Sequence, residues 1–479
     1  MNKIKGYIPK AERKKIFLLC DDIRLHSGVA TMAREIVSNT AHHYNYFQLG
    51  AALDHPDSGK VFDVSKEIND KLKIDDAEVK IMSHNGYGNQ QIVRNLIRSE
   101  KPDAIFLFTD PRYWIWLFEM EREIRAEIPI FFLNIWDDLP IPLYNKDYYS
   151  SVDLLMAISK QTKLVNELVL GEDKENRLIK YIPHGIEHKA FFPIEGQEEK
   201  FEEFKKETYK GKNIDFTVFF NSRNIQRKHP HDLVLAYRLF ADMLTKEEAK
   251  KCAMIMHTKV VDNNGTDLLA VKEALCDPDY VNVMFSQAKL TTPQLNTLYN
   301  LADVTVLPSS NEGWGLSITE SMMAGTMVIA NTTGGMQDQM RFVDEKEEWF
   351  TPSLDVPSNH RGTYKKHGIW AEPIYPSNIS LAGSPKTPYI YDDRCDPEDI
   401  AKAIYKLYKL GKEERNKRGL KGRHFAMSDE AMMSSENMAK NVMKACDEAF
   451  EIFTPRKAFD LTLVETPKRK YIEHKLTGY

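Results

Sequence analysis

At 479 residues the chain exceeds the size at which a single hydrophobic core stops growing, so two domains are expected. Its 42% apolar and 10% aromatic content suits ordinary cores, and a net charge of −5 with mixed signs excludes a strongly basic nucleic-acid binder. Five scattered cysteines (Cys20, Cys252, Cys276, Cys395, Cys446) form no C-x-x-C pair, which argues against a disulfide framework or a zinc site and fits a reducing cytoplasm.

Residues 1–15 are charged and lack the apolar stretch of a signal peptide. Short apolar runs at 16–20, 44–49, 79–82, 104–108, 129–135, 154–158 and 179–182 read as buried strands, alternating with stretches of helical spacing such as 29–38 and 90–99. The most apolar region, 104–118, is broken by Asp110-Pro111-Arg112, so no transmembrane run of ~20 residues arises and a cytoplasmic protein is expected. A polar Lys/Glu-rich stretch at 195–212 reads as a crossing between domains. The alternation restarts with strands at 215–220, 253–257, 281–285, 303–307 and 327–330. Two doubly wound α/β units in tandem follow from this rhythm. The boundaries are 1–190 for a first Rossmann-like domain and 191–445 for a second, with 446–479 as a C-terminal segment. Residues 340–394, rich in Pro, Tyr and Trp (Trp349, Pro357, Trp370, Tyr375, Tyr389), break the pattern as an ordered excursion that either stacks on a ligand or packs.

The strongest motif is Asn311-Glu312-Gly313-Trp314-Gly315-Leu316-Ser317-Ile318-Thr319-Glu320, directly after the 303–307 strand. Ligands of doubly wound sheets bind beyond the carboxyl ends of the strands. Glycines admit a close ligand, and the N-terminus of the next helix suits a diphosphate. A ligand-free reading makes Ser317 and Glu320 a capping box. A second loop, Asn331-Thr332-Thr333-Gly334-Gly335, faces the same crevice.

This stretch resembles the E-x7-E signature of family 4 glycosyltransferases, whose architecture is GT-B: two Rossmann-like domains facing each other across a cleft. Glu312 and Glu320 match the two glutamates, and Ala324-Gly325 and Gly334-Gly335 match the rest of the block. Four further segments are similar to family elements in the right order: Ser27-Gly28-Val29-Ala30, Ser159-x-x-Thr162-Lys163, the interdomain run from Ile182-Pro183-His184-Gly185 to Pro193, and Ser222-Arg223 to Lys228. The resemblance implies that Arg223 and Lys228 neutralise the donor diphosphate and that Glu320 holds the ribose. Glu312 would sit by the donor sugar, Gly313, Trp314, Gly315, Leu316 and Ser317 would line sugar and phosphate, and Gly28 would let the first loop approach.

Many family members carry a His-Asp pair followed by proline after a strand of the first domain. Here the region reads Asn134-Ile135-Trp136-Asp137-Asp138-Leu139-Pro140, and Asp137 takes the histidine's place, either as a sugar-binding or acceptor-polarising group or as a helix cap. The catalytic set implied is thus Glu312, Asp137, Arg223 and Lys228. No cofactor or metal is expected, since Asp277-Pro278-Asp279 lies at the wrong end of a strand and His184/His188 lie in a turn. The implied reaction is retaining transfer from a nucleoside-diphosphate sugar to a hydroxyl of a glycan, a lipid-linked sugar or a modified nucleic-acid base. A nucleotide-sugar epimerase of the same fold and a non-catalytic sugar-nucleotide-binding subunit are the alternatives. Basic residues at both ends (Lys3, Lys5, Lys10, Arg13, Lys14, Lys15; Arg456, Lys457, Lys468, Arg469, Lys470, Lys475) form either a polyanion patch or plain solvated termini.

Overall fold

The structure is a computed structural model that describes residues 4–53, 56–196, 198–353, 360 and 362–457. Lys3, Pro357 and the basic residues Lys468, Arg469, Lys470 and Lys475 lie outside them.

The first sheet contains β1 (Lys14–Asp21), β2 (Tyr44–Leu53), β3 (Val61–Asp63), β4 (Val79–Asn85), β5 (Ala104–Phe108), β6 (Ile130–Asn134), β7 (Leu154–Ala157) and β8 (Leu178–Tyr181). Their spatial order is β3-β4-β2-β1-β5-β6-β7-β8, and of the described pairs within this sheet only β3–β4 is antiparallel. The five residues of β5 and of β6 are buried without exception, as strands covered by helices on both faces must be. The second sheet contains β9 (Phe216–Asn221), β10 (Cys252–His257), β11 (Val283–Ser286), β12 (Val304–Leu307), β13 (Met327–Asn331) and β14 (Ala371–Ile374), in the order β11-β10-β9-β12-β13-β14. Two parallel α/β sheets of this kind make the chain a GT-B fold.

Two segments differ from the sequence-based expectation. The Lys/Glu-rich crossing folds into a helix, Glu198–Thr208, because Phe201 and Phe204 fall one turn apart and pack on the core. The excursion after residue 340 contributes β14, whose Pro373 suits an edge strand, and then a hairpin of β15 (Asn378–Ser384) and β16 (Thr387–Arg394). Its tryptophans pack rather than stand free: Trp370 stacks on Phe425 at 4.9 Å, and its Nε1 donates to the Gln339 carbonyl at 3.1 Å.

The chain crosses between sheets twice, side by side. Ile186 N–H donates to Met433 O (3.0 Å) and Ser435 N–H to Ile186 O (3.1 Å). At Gly185 a Cβ would lie 2.2 Å from the Ser434 carbonyl oxygen, so only glycine lets the strands meet. The last helix, Ser435–Ile452, then lies against the first sheet's helix Gly28–Thr40, where Asp447 accepts from Tyr44 Oη at 2.6 Å.

Two bridges hold the domains face to face. On one side Asp338 accepts from the Lys160 amide (2.9 Å) and Tyr181 Oη (3.0 Å). On the other the hairpin reaches the first domain: Tyr391 N–H donates to Leu139 O at 2.8 Å, and Tyr144 Oη to Tyr389 O at 3.0 Å.

Candidate active site

Strands β9, β12 and β13 are neighbours, so the loops leaving their carboxyl ends converge on one point of the cleft. The β12 loop, Pro308 to Gly315, turns into the helix Leu316–Met323 through Gly315, whose φ of 86° is open to glycine alone at little cost. The β13 loop packs against its back. A Cβ on Gly334 would stand 2.0 Å from Glu312 O, and one on Gly335 would stand 2.3 Å from Gly313 O. Gly335 N–H bonds to Glu312 O at 3.0 Å. The glycine pair is therefore a requirement of loop-on-loop packing, which fixes the Glu312 backbone.

The Glu312 side chain is buried, and Lys228 Nζ donates to its Oε1. Ser309 Oγ donates to the same oxygen at 3.0 Å, and Arg227 Nη1 lies 3.7 Å from Oε2. Burial alone would raise the Glu312 carboxyl, but Lys228 and Arg227 together hold it below its ordinary value. Lys228 is pushed down to about 8, by burial first and by Arg227 second, against the pull of Glu312.

Arg223 and Arg227 part company in the β9 loop. Asn224 is fully buried, and its Nδ2 donates to Val260 O (3.1 Å) and Thr266 O (2.6 Å). Pinned there, the loop leaves Arg223 without an ion pair among the described residues, while Arg227, its side chain still 46% exposed, reaches toward Glu312 with Nη1 donating to Asn311 O. Arg227 is the arginine that meets Glu312, which spacing alone did not single out; its signal was only its place beside Lys228.

Glu320 does not form a capping box. The helix begins at Leu316, so Ser317 lies inside its first turn, and Gly315 is the N-cap without a side-chain bond. Glu320 instead accepts from Tyr299 Oη at 2.6 Å, and burial raises its carboxyl against that bond. Trp314 is buried, with Nε1 on Thr319 Oγ1 at 2.8 Å, and contributes packing and loop shape.

The first domain closes on these loops. A Cβ on Gly313 would lie 2.8 Å from Ile135 O, and one on Gly28 would lie 3.4 Å from Leu316 Cδ1. Gly28 opens the helix capped by Ser27, whose Oγ accepts from Ala30 N–H (3.0 Å) and donates to Asp21 Oδ2 (2.6 Å). Asp137 caps no helix, because the next helical turn starts at Leu143 behind Pro142. It sits beside Gly334, its Cβ 3.6 Å from the position a Cβ would take there, in the field of Arg227 and Glu312. Asp137 and Asp138 hydrogen-bond to each other, and Asn311 Nδ2 donates to Asp138 Oδ1. Burial raises both carboxyls, Asp138 well above its ordinary value with the charge of Asp137 adding to the effect. Ser309 and Tyr299 join the site only through the fold, and Asp138 and Asn311, from two separate motifs, meet only there.

His184 packs between Phe108 and Trp314, ring centroids 5.8 and 6.1 Å away, and burial pushes it down to about 3, which leaves it neutral. His229, His231 and Asp232 bring ligand atoms within 4.8 Å of one another. Arg394, however, forks onto both Asp232 oxygens at 3.0 Å, so a cation already occupies that carboxylate.

Residues 280–349, which include Glu312, Glu320 and Gly334-Gly335, match the family described as glycosyl transferases group 1. The D-inositol 3-phosphate glycosyltransferase of Corynebacterium jeikeium is 25% identical over 189 residues, 39% of this chain and 42% of that relative. The chain thus aligns with about two fifths of the relative's length. A glycosyltransferase from Rickettsia africae has the same fold with TM-score 0.61 and 16% identity, over 92% of this chain and 100% of that one. Anabaena HepE, solved with UDP and glucose, superposes with TM-score 0.62 and 13% identity, over 91% of this chain and 100% of that one. The chain has the GT-B fold, and its residues 280–349 are similar to the group 1 glycosyl transferases.

Proposed function

We propose that this protein transfers a glycosyl group from a nucleoside-diphosphate sugar to a hydroxyl acceptor, with retention of anomeric configuration and without a bound metal. The observation that carries this reading is the convergence of Lys228, Arg227 and the start of helix Leu316–Met323 on one point, beside the buried Glu312. Two cations and a helix N-terminus are what a departing diphosphate requires, because its negative charge grows as the sugar leaves. In this reading Lys228 and Arg227 take up that charge, and the amides after Gly315 bind the phosphate oxygens. Glu312 receives sugar hydroxyls, and Glu320, one helical turn into the domain, accepts from the ribose. Asp137, its carboxyl raised by burial, faces the sugar from the first domain and orients the attacking hydroxyl. Contact of the domains through Tyr391–Leu139 and Asp338–Lys160 keeps water from competing for the donor. HepE, solved with UDP and glucose, supports a nucleotide-sugar ligand for this fold.

The test is nucleoside diphosphate release from UDP-, GDP- and ADP-sugars with EDTA present, with and without hydroxyl acceptors, alongside Lys228→Ala and Glu320→Ala. Release from one donor, lost in both variants, is the expected result. If no nucleotide raised the melting temperature of the wild-type protein, the donor site would be wrong.

A further inference from the structure

The loops that follow β4 and β5 carry an aromatic pair that the donor site does not use. Tyr87 and Tyr113 stack with ring centroids 4.0 Å apart and planes 13° from parallel. Tyr87 donates through Oη to Asp21 Oδ1 at 3.0 Å, and Asp21 also accepts from Ser27, the residue before Gly28. Trp114 meets Tyr87 edge-on at 5.4 Å from below, fully buried. The inner ring is thus braced by the glycine loop and the core. The outer ring is open, since Tyr113 is 47% exposed.

Position gives this pair its meaning. Strands run in the order β4-β2-β1-β5-β6, and the loops after β1 and β6, on either side of β5, both touch the donor side, through Gly28–Leu316 and Ile135–Gly313. The stack bridges the β4 and β5 loops over the end of β1, on the carboxyl edge of the sheet that faces the donor loops. The β5 loop is held in an unusual shape, with buried Thr109 at φ 149°. Strain of this kind is retained where a site requires it.

We infer that the exposed face of Tyr113, backed by Tyr87, is the platform on which the ring of an uncharged sugar or cyclitol acceptor stacks. This inference rests on the glycosyl-transfer reading and assigns its acceptor side. An aromatic face meets the C–H face of such a ring and leaves the hydroxyl edges free to reach the cleft. The local cations favour an uncharged ring over a phosphorylated one. Arg112 is forked onto Asp110 (2.8 and 3.0 Å), and Arg24 is forked onto Asp22 (2.9 and 2.6 Å), so both guanidinium charges are already met.

The test is saturation-transfer NMR on the full chain, irradiating aromatic protons, with methyl α-glucopyranoside, methyl α-mannopyranoside and myo-inositol as ring probes and UDP present. At least one probe should receive saturation on its ring C–H protons. Tyr113→Ala should weaken that probe's binding about tenfold, Tyr113→Phe should keep it, and neither should alter the melting shift caused by the nucleotide. Equal saturation in Tyr113→Ala, or none from any probe in wild-type protein that the nucleotide does stabilise, overturns the platform. Tyr113-dependent ring binding in a protein that no nucleotide stabilises would leave the platform standing and sink the donor reading instead.

Discussion

Replacing Lys228 by Met removes the charge while keeping an unbranched side chain one heavy atom shorter, and the structure says what that strands. The Lys228 and Glu312 side chains are only 11% and 7% exposed. Removing one partner of a buried pair costs about 3–5 kcal/mol, because the remaining charge is left without compensation. Ser309 at 3.0 Å and Arg227 at 3.7 Å stay with Glu312, which places the loss near the lower end, about 3 kcal/mol. At roughly 2 °C per kcal/mol for a domain of this size, the melting temperature should fall by about 6 °C. Adding Glu312→Gln neutralises the stranded carboxylate, so the double variant should recover about 2 kcal/mol of that loss. Calorimetry on the wild type, both singles and the double closes the cycle. Nucleotide titration on the same four proteins then separates stability from function, since the double variant regains stability and still fails to bind the diphosphate. If the double variant melted no higher than Lys228→Met, Glu312 would not be the stranded charge. If it regained nucleotide binding as well, Lys228 would be structural and the proposed phosphate contact wrong.

Burial sets the Lys228 ammonium at about 8 against an ordinary 10.5, so its proton leaves within reach of mild alkali. Donor kcat/KM should be flat below about pH 8 and fall about tenfold per unit above it, while Lys228→Arg stays flat. Glu320→Gln should weaken nucleoside diphosphate binding at least about tenfold by calorimetric titration, with no loss of melting temperature, since a buried carboxylate is being neutralised. Gly335→Ala should lower stability by about 2 kcal/mol in urea and abolish nucleotide binding, because its Cβ would run into the Gly313–Trp314 backbone. Asp338 is raised by burial from 3.8 to about 6, above its unfolded value, so folding favours its protonated form. Its contribution is full below 3.8 and is lost as pH climbs through about 6, a slope that Asp338→Asn should remove from denaturation curves at pH 4–7.

Much of the fold was legible from composition along the chain. Strands such as Ala104–Phe108 and Ile130–Asn134 are continuous apolar runs because a parallel sheet buries both faces, and that leaves a one-dimensional signature. β14 left none: four residues with a proline become a strand only because the edge of β13 is there to receive them. The hairpin β15–β16 is likewise defined by what it docks on, the Leu139–Tyr144 loop. At the site, Glu312, Glu320 and the glycine pair could be read because each follows a strand end at a fixed, short spacing. Which arginine meets Glu312 could not. Arg223 and Arg227 share one irregular loop, and the choice between them belongs to Asn224, held by carbonyls some 40 residues downstream at Val260 and Thr266. The raised carboxyls of Asp137 and Asp138 are also tertiary, since burial lifts them while Asn311 from the other domain pulls Asp138 back. The sequence by itself determined the two sheets and the loops that leave them, because period and strand ends are local properties. Only the tertiary structure decided which charges meet, because long-range contacts and exclusion of water set the direction of a side chain in an irregular loop and the protonation of a buried acid.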